Sequence, residues 1–532
     1  MFEPARIRTL WELVEYRARA SGDAPMLIDG GEGGYGDGAR TVSFGAVRDA
    51  ALRAAAGFHA RGIGPGTRVM WQLPTRIDTV IASLALARLG AVQAPVIPQH
   101  RAREVGFVLA DSGAEFVLVP GVWRGFDHEA MVRGLTRGGM QSVSLADGLP
   151  DGDPGALPEP PEGADDRTRW IYYTSGTTAA PKGVEHTDAS LIAGGVGLAT
   201  ALGMATDDIG SIAFPYAHIA GPDYVIAMLV SGFPAVVLEH FDADRAAEVY
   251  RRHGVTMAGG STAFYQAFHD ASRRRRAVAP DAGPLIPSLR LLSGGGAPLP
   301  PELYRAAGRE LGCALVHGYG MTECPMIAMG TPYDRDEQLA HTVGRPVAGA
   351  RIRIVRPDGS EAATGESGEV TVTGPMVFRQ YTDPALTAEA FGPDGAFRTG
   401  DLGQLRPDGH LVLTGRLKDI IIRKGENVSA QEVEDLVCTH PAVAEAAVIG
   451  LPDRERGERV CAVVTLRGAA GGSGAGARPL TLAGLTAHLR AAGLMTQKLP
   501  EQLEIVGELP RGGPLSKVLK ARLRERYGRR QG

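Results

Sequence analysis

The segment Thr174–Gly183, TSGTTAAPKG, sets the strongest limit on what this chain can fold into. It follows the apolar run Trp170-Ile171-Tyr172-Tyr173 and packs four hydroxyl side chains, two glycines and one lysine into ten residues. A strand running out into such a loop delivers hydroxyls, backbone N–H groups and an ammonium to one place. That suits a polyphosphate, whose oxygens want many donors and little bulk nearby. The loop is not a Walker loop: Pro181 stands where the second glycine belongs, and Gly183 replaces the Ser/Thr that would hold magnesium. Taken alone, a Gly/Ser/Thr cluster is equally what a solvent turn looks like. The distinction has to come from segments downstream.

A chain of 532 residues exceeds what one hydrophobic core supports, so two or more domains are expected. Net charge of -4 argues against a nucleic-acid surface, and Arg273–Arg276 reads as a solvated helix end. Cys313, Cys324, Cys438 and Cys461 have no paired short spacing, which fits a reducing compartment and neither a disulfide framework nor a zinc site. The first 22 residues pattern as an amphipathic helix broken by charges and not as a signal peptide. No stretch offers the roughly 18 apolar residues of a spanning helix. A cytoplasmic protein without integral membrane contact is the expectation.

Helical patterns over Phe44–Ala60 and Ile77–Leu89 alternate with short apolar runs at Arg68–Gln72 and Phe116–Val119, which favours α/β layers. Asp29–Arg40 is a glycine-rich loop, and Leu149–Asp166 a Pro/acid-rich connection. Alternation resumes over 170–325. From Arg351 to Leu413 short strands and turns such as Pro357-Asp358-Gly359 predict a small β-rich subdomain. After Gly415 comes a compact α+β pattern, interrupted by the low-complexity loop Arg467–Pro479. Four further motifs stand out. SGGGAPL (Ser293–Leu299) follows a strand-like Leu289–Leu292, and its three glycines let a flat ligand approach the backbone. GYGMTE (Gly318–Glu323) follows a strand at Ala314–His317; RTGD (Arg398–Asp401) and GRLKDIIIRKGEN (Gly415–Asn427) complete the set. Each alone is weak evidence. Five in this order are hard to reconcile with chance.

With these motifs the chain resembles the adenylate-forming (ANL) superfamily of acyl-CoA synthetases, peptide-synthetase adenylation domains and luciferases, from about Leu10 to about Leu523. Within it, Arg88–Ser112, Tyr173–Leu191 and Phe214–Met228 look most like bacterial medium-chain or alicyclic (cyclohexanecarboxylate-type) acyl-CoA ligases. The resemblance implies an α/β fold with a large N-terminal domain over 1–415, made of two α/β subdomains and a β-barrel-like one. It also implies a hinge at 416–418 and a small mobile α+β domain over 419–532.

Residue by residue, the resemblance implies that Thr174, Ser175, Gly176, Thr177, Thr178 and Lys182 hold the β- and γ-phosphates of ATP. Gly296, Ala297 and Pro298 form one wall for adenine and Tyr319 the other; Thr322 meets the α-phosphate, Glu323 coordinates Mg2+, and Asp401 with Arg416 takes the ribose. His218 lines the acyl pocket; without the resemblance it reads as a hydrogen-bonded core histidine. Lys517, in LPRGGPLSKVL, matches the catalytic lysine, although Ser516 replaces a glycine and the loop is one residue longer, which leaves Lys520 as a rival. Lys418 falls at the hinge, and Gly425, within Lys424–Asn427, borders a tunnel for the pantetheine arm of CoA.

Two half-reactions at one site are therefore expected. A carboxylate attacks the α-phosphorus of Mg-ATP to give an acyl adenylate and pyrophosphate, and after a domain rotation the CoA thiol displaces AMP. The acceptor stays open between CoA, a carrier protein, an amine or nitrite-dependent diazotisation, as does a homodimer. A non-catalytic nucleotide-binding relative is the rival from another class, but Lys182, Glu323, Asp401 and Arg416 are all retained. Small apolar residues at Ala217, Ile219 and Ala220, with no Lys or Arg beside them, point to a medium-chain, alicyclic or aromatic acid.

Overall fold

The computed structural model describes residues 7–31, 40–135, 139–161, 166–174, 181–423, 426–453, 456–467, 480–512 and 517–528, the side chains of Glu426, Asn427 and Lys517 excepted. One large core runs from Leu10 to Leu411 and binds four sheets together. The seven-stranded sheet has the order 380–381, 182–186, 170–174, 92–95, 68–71, 116–119, 141–144. Its central strands Arg68–Trp71, Val92–Pro95 and Phe116–Val119 are parallel and almost wholly buried, as expected of strands covered on both faces. The helix Ile77–Leu89 is apolar nearly all round and lies inside this core, closed by Gly90 in the left-handed region at φ 67°.

A second sheet carries the parallel strands Met257–Gly260, Leu291–Gly294 and Ala314–Met321, in register so that Gly260, Gly294 and His317 lie side by side. Ligands of open α/β sheets gather at such carboxyl ends. The strand at Ala314 runs four residues beyond the His317 end expected from sequence. The reason is pairing: Gly318–Met321 forms an antiparallel hairpin with Cys324–Met329, which satisfies its backbone groups. A four-stranded antiparallel sheet, 351–355, 368–373, 397–405 and 411–416, forms the expected β-rich subdomain.

Beyond Arg416 the chain makes a single 3-10 turn, Leu417–Asp419, and enters a smaller α+β body. Its sheet joins 426–429, 420–423, 457–466, 443–453 and 502–505. Two cores of its own cover the two faces, one around Val433, Val448 and Leu485, the other around Ile449, Leu509 and Tyr527. Neither shares a buried residue with the large core. Among the described residues no helix is long and apolar enough to cross a membrane.

Candidate active site

Strands Trp170–Thr174 and Lys182–His186 are antiparallel neighbours with Lys182 opposite Thr174 and His186 opposite Trp170. The hydroxyl-rich loop therefore leaves and re-enters the sheet at one point; Ser175, Gly176, Thr177 and Thr178 themselves lie outside the described residues. The Lys182 ammonium sits 5.0 Å above the ring of Tyr381, a cation–π arrangement. The Tyr381 hydroxyl in turn donates to Glu323 Oε1 at 2.8 Å. Burial and the Glu323 carboxylate raise the phenol's pKa, so Tyr381 stays a donor. Tyr381 is in range because its strand pairs with 184–185 at the sheet edge.

Lys182 is thus tied through one ring to the carboxylate of Glu323. A second link runs deeper. His186, buried, places Nε2 2.7 Å from the carbonyl oxygen of Thr322 and Nδ1 2.9 Å from Ser190 Oγ. A carbonyl only accepts, so Nε2 carries the proton, while Nδ1 faces a Ser190 hydroxyl that also donates to the Thr187 carbonyl at 2.9 Å. Burial lowers the pKa of His186 to about 4, so the ring is neutral at pH 7.

The next group comes from the β-rich subdomain. Asp401 is buried and accepts from Tyr319 Oη at 2.7 Å and from Arg416 Nε at 2.8 Å. Asp401 and Arg416 are cross-strand partners, and a positive φ of 71° at Gly400 bends the strand just before the carboxylate. The strand containing Tyr319 belongs to a different sheet, so three expected ligand contacts converge from two layers.

Gly296, with φ 80°, begins the loop that Ala297 and Pro298 continue. Thr262 Oγ1 donates to the carbonyls of both. His317 is buried near the backbone of Ala297, and burial lowers its pKa to about 4. A Cβ on Gly295 would lie 2.7 Å from the Gly318 carbonyl, and one on Gly259 2.1 Å from that of Ser293. Glycine is required there for the strands to close up into a flat wall.

His218 sits half-buried in the turn before helix Ala220–Ser231, where Nδ1 accepts from the Ala220 N–H at 3.3 Å. Lys418 lies in the 3-10 turn, its pKa lowered by burial and by Arg416. Lys517 is placed by its backbone alone, opposite Gly512 in a two-residue pairing. Its rival Lys520 is committed elsewhere, 2.7 Å from Glu434 Oε1 in the small body. Gly425 and Lys424 lie outside the described residues. His186 and Tyr381 were missed by motif reading. Tyr381 belongs to no motif, and His186 is one aromatic ring in a strand whose pattern only announces burial.

A large α/β body with a glycine-lined wall and a buried Asp401 paired to Arg416, joined to a separately cored α+β body, defines a two-domain protein. Its sequence matches the AMP-binding enzyme family over residues 14–382 and the AMP-binding enzyme C-terminal domain over 432–513, and the chain belongs to that family. The chain is 34% identical to a salicyl-AMP ligase / salicyl-S-ArCP synthetase of Mycobacterium tuberculosis, over 98% of this chain and 91% of the relative. It is 33% identical to a 2-hydroxy-7-methoxy-5-methyl-1-naphthoate–CoA ligase of Streptomyces carzinostaticus, covering 93% and 90%. The O-succinylbenzoate-CoA synthetase of Bacillus subtilis, solved with ATP and magnesium ion, superposes with TM-score 0.79 at 27% identity, covering 96% and 98%. The protein is an acid–thiol ligase: it uses Mg-ATP to activate a carboxylic acid as an acyl adenylate and transfers the acyl group to CoA.

Proposed function

We propose that the acid is a small aromatic acid and that the residues above act as follows. Thr174, Ser175, Gly176, Thr177, Thr178 and Lys182 cradle the β- and γ-phosphates. Adenine lies between Gly296-Ala297-Pro298 and the Tyr319 ring, with the ribose hydroxyls on Asp401 and Arg416. Thr322 donates to the α-phosphate. Glu323, oriented by Tyr381, holds Mg2+, a hard cation satisfied by one carboxylate plus phosphate oxygens and water. When bound, the ion neutralises phosphate charge. The protein's remaining work is positioning: Lys517 fixes the attacking carboxylate and the charge gathering at phosphorus. The observation that carries this reading is the chain Lys182–Tyr381–Glu323, which joins phosphate loop and metal carboxylate at one point.

The aromatic assignment is supported by the hydroxyaryl acids named for the two relatives. It is also supported by walls without Lys or Arg over 216–224, 259–262, 293–295 and 318–321. Medium-chain and alicyclic acids belong in the same panel. Pyrophosphate exchange across the panel, with detection of AMP and thioester, is the direct test; release of ADP and orthophosphate overturns the scheme. Lys517→Ala lowers exchange on the order of 10²–10³-fold while supplied acyl-AMP is still converted to thioester. Equal loss of both steps removes Lys517 from its assigned role. A carrier-protein thiol as a second acceptor is favoured by the salicyl-S-ArCP relative. Comparing CoA with a phosphopantetheinylated carrier decides it.

A further inference from the structure

Asp111 is a carboxylate that the reaction described so far does not use, and it stands where a carboxylate is costly. It is the penultimate residue of helix Ala102–Ser112, at the end where the helix dipole disfavours negative charge. Its Oδ2 accepts from two hydroxyls at once, Tyr173 Oη at 2.9 Å and Thr382 Oγ1 at 2.9 Å. Those donors come from different strands. Tyr173 pairs with Gly183 in the phosphate hairpin, and the Thr382 N–H, just past the edge strand, donates to the Gly183 carbonyl at 2.8 Å. The three residues form one rung, and Asp111 lies across its middle. Gly183 makes that reach possible, since a Cβ there would lie 2.9 Å from Asp111 Oδ2. Burial and the Asp111 carboxylate raise the pKa of the Tyr173 phenol, so it stays a donor.

Each member of the rung is the chain neighbour of a residue assigned to the ATP end of the reaction. Tyr173 precedes Thr174, Gly183 follows Lys182, and Thr382 follows Tyr381, whose hydroxyl donates to Glu323. We propose that Asp111 is a positioning residue for the polyphosphate: by holding the Tyr173 and Thr382 hydroxyls on one oxygen, it fixes the spacing of the arms that carry Thr174, Lys182 and Tyr381. This rests on the phosphate-loop reading above and deepens it. Asp111 touches no substrate. Its contribution is preorganisation, because donors already in place lose less freedom when the phosphates arrive. The carboxylate is exposed, so its two hydrogen bonds are screened by solvent and their effect is moderate.

The test is calorimetric titration of the full-length enzyme with Mg-ATP and with AMP, which lacks the outer phosphates. Asp111→Ala is expected to weaken Mg-ATP about tenfold and AMP less than about twofold. Asp111→Asn keeps an oxygen that accepts both hydroxyls and should recover most of the loss. Tyr173→Phe alone should cost about threefold for Mg-ATP, and nothing further on top of Asp111→Ala, whose partner oxygen is already gone. A general fold defect acts differently, since it lowers the binding-competent fraction for both nucleotides alike. An unchanged ratio of the two dissociation constants in Asp111→Ala, no recovery in Asp111→Asn, or additive losses in the pair overturns the positioning role. Lys182→Ala, titrated alongside, separates that failure from failure of the phosphate-loop reading. If Lys182→Ala shifts the ratio and Asp111→Ala does not, only the role of Asp111 is refuted. If neither shifts it, the phosphate assignment falls and the role of Asp111 with it.

Discussion

His186 shows how much one side chain can organise. Its Nε2–H is the only described link from the Lys182 strand to the backbone of the Thr322–Glu323 turn that uses an imidazole, and it is made in a site without water competition. His186→Leu keeps the apolar body and deletes the donor. The expected result is about a tenfold loss of pyrophosphate exchange, the worth of one buried hydrogen bond, appearing mainly as a higher KM for Mg-ATP. His186→Gln, whose amide reaches the same carbonyl, should recover most of it. A loss in both variants alike, with kcat rather than KM falling, would mean that the ring merely fills space. Asp223, buried on helix Ala220–Ser231, gives a pH test with a definite sign. Its carboxyl ionises near 8 when folded against 3.8 unfolded. Between those values the folded chain holds a proton that the unfolded chain releases, so its contribution to stability falls as pH rises. Asp223→Asn has no such proton. Its stability relative to wild type should therefore climb from pH 5 to pH 8 in urea midpoints, and a constant gap refutes the raised pKa.

Elements were legible in sequence where one physical signal dominated. Ile77–Leu89 and Phe116–Val119 came out with the bounds read from apolar run and turn residues. Gly318–Met321 did not, because glycine in a motif reads as loop, whereas here it lets the hairpin close: a Cβ on Gly320 would meet the Pro325 carbonyl at 2.1 Å. The candidate site was legible as sequence at Lys182, Tyr319, Asp401 and Arg416, motif residues that the structure brings into two contact clusters. It was illegible at Tyr381, whose contribution arises only from the pairing of its two-residue strand with the phosphate hairpin. That pairing depends on Gly183. A Cβ there would lie 2.6 Å from Thr382 Cγ2, 2.7 Å from its Oγ1 and 2.9 Å from Asp111 Oδ2. Gly183→Ala should push the edge strand outward and draw Tyr381 off Glu323, raising the magnesium requirement several-fold at a stability loss of about 1–3 kcal/mol. Thr382→Ala removes two of the three opposing atoms, so the double variant should recover activity relative to Gly183→Ala. Additive losses in the cycle would show that the clash is not the cause.

At the scale of the whole molecule the question is whether two separately cored bodies move about Lys418. The joint has the features a hinge needs. The chain leaves the subdomain sheet at Arg416, makes one 3-10 turn and starts a new sheet at Ile420. Two ion pairs near the joint, Asp419 with Arg524 and Glu434 with Lys520, lie within the small body. Across the joint, Ser429 Oγ donates to the Thr414 carbonyl. Asp435 is pushed up to about 6 by burial, with Glu302 of the large body among the like charges near it. Such a contact is easily parted. Proline at 418 fixes φ near −65° and takes away the rotation a hinge must absorb. Lys418→Pro is therefore expected to retain pyrophosphate exchange within a few-fold while CoA thioester formation falls by on the order of 10²-fold, since the second half-reaction needs the cap turned. Single-turnover mixing with CoA separates the two: acyl-AMP should accumulate in the variant and not in wild type. If thioester forms at the wild-type rate from that accumulated adenylate, the two steps do not require the rotation, and Lys418 is an ordinary surface residue.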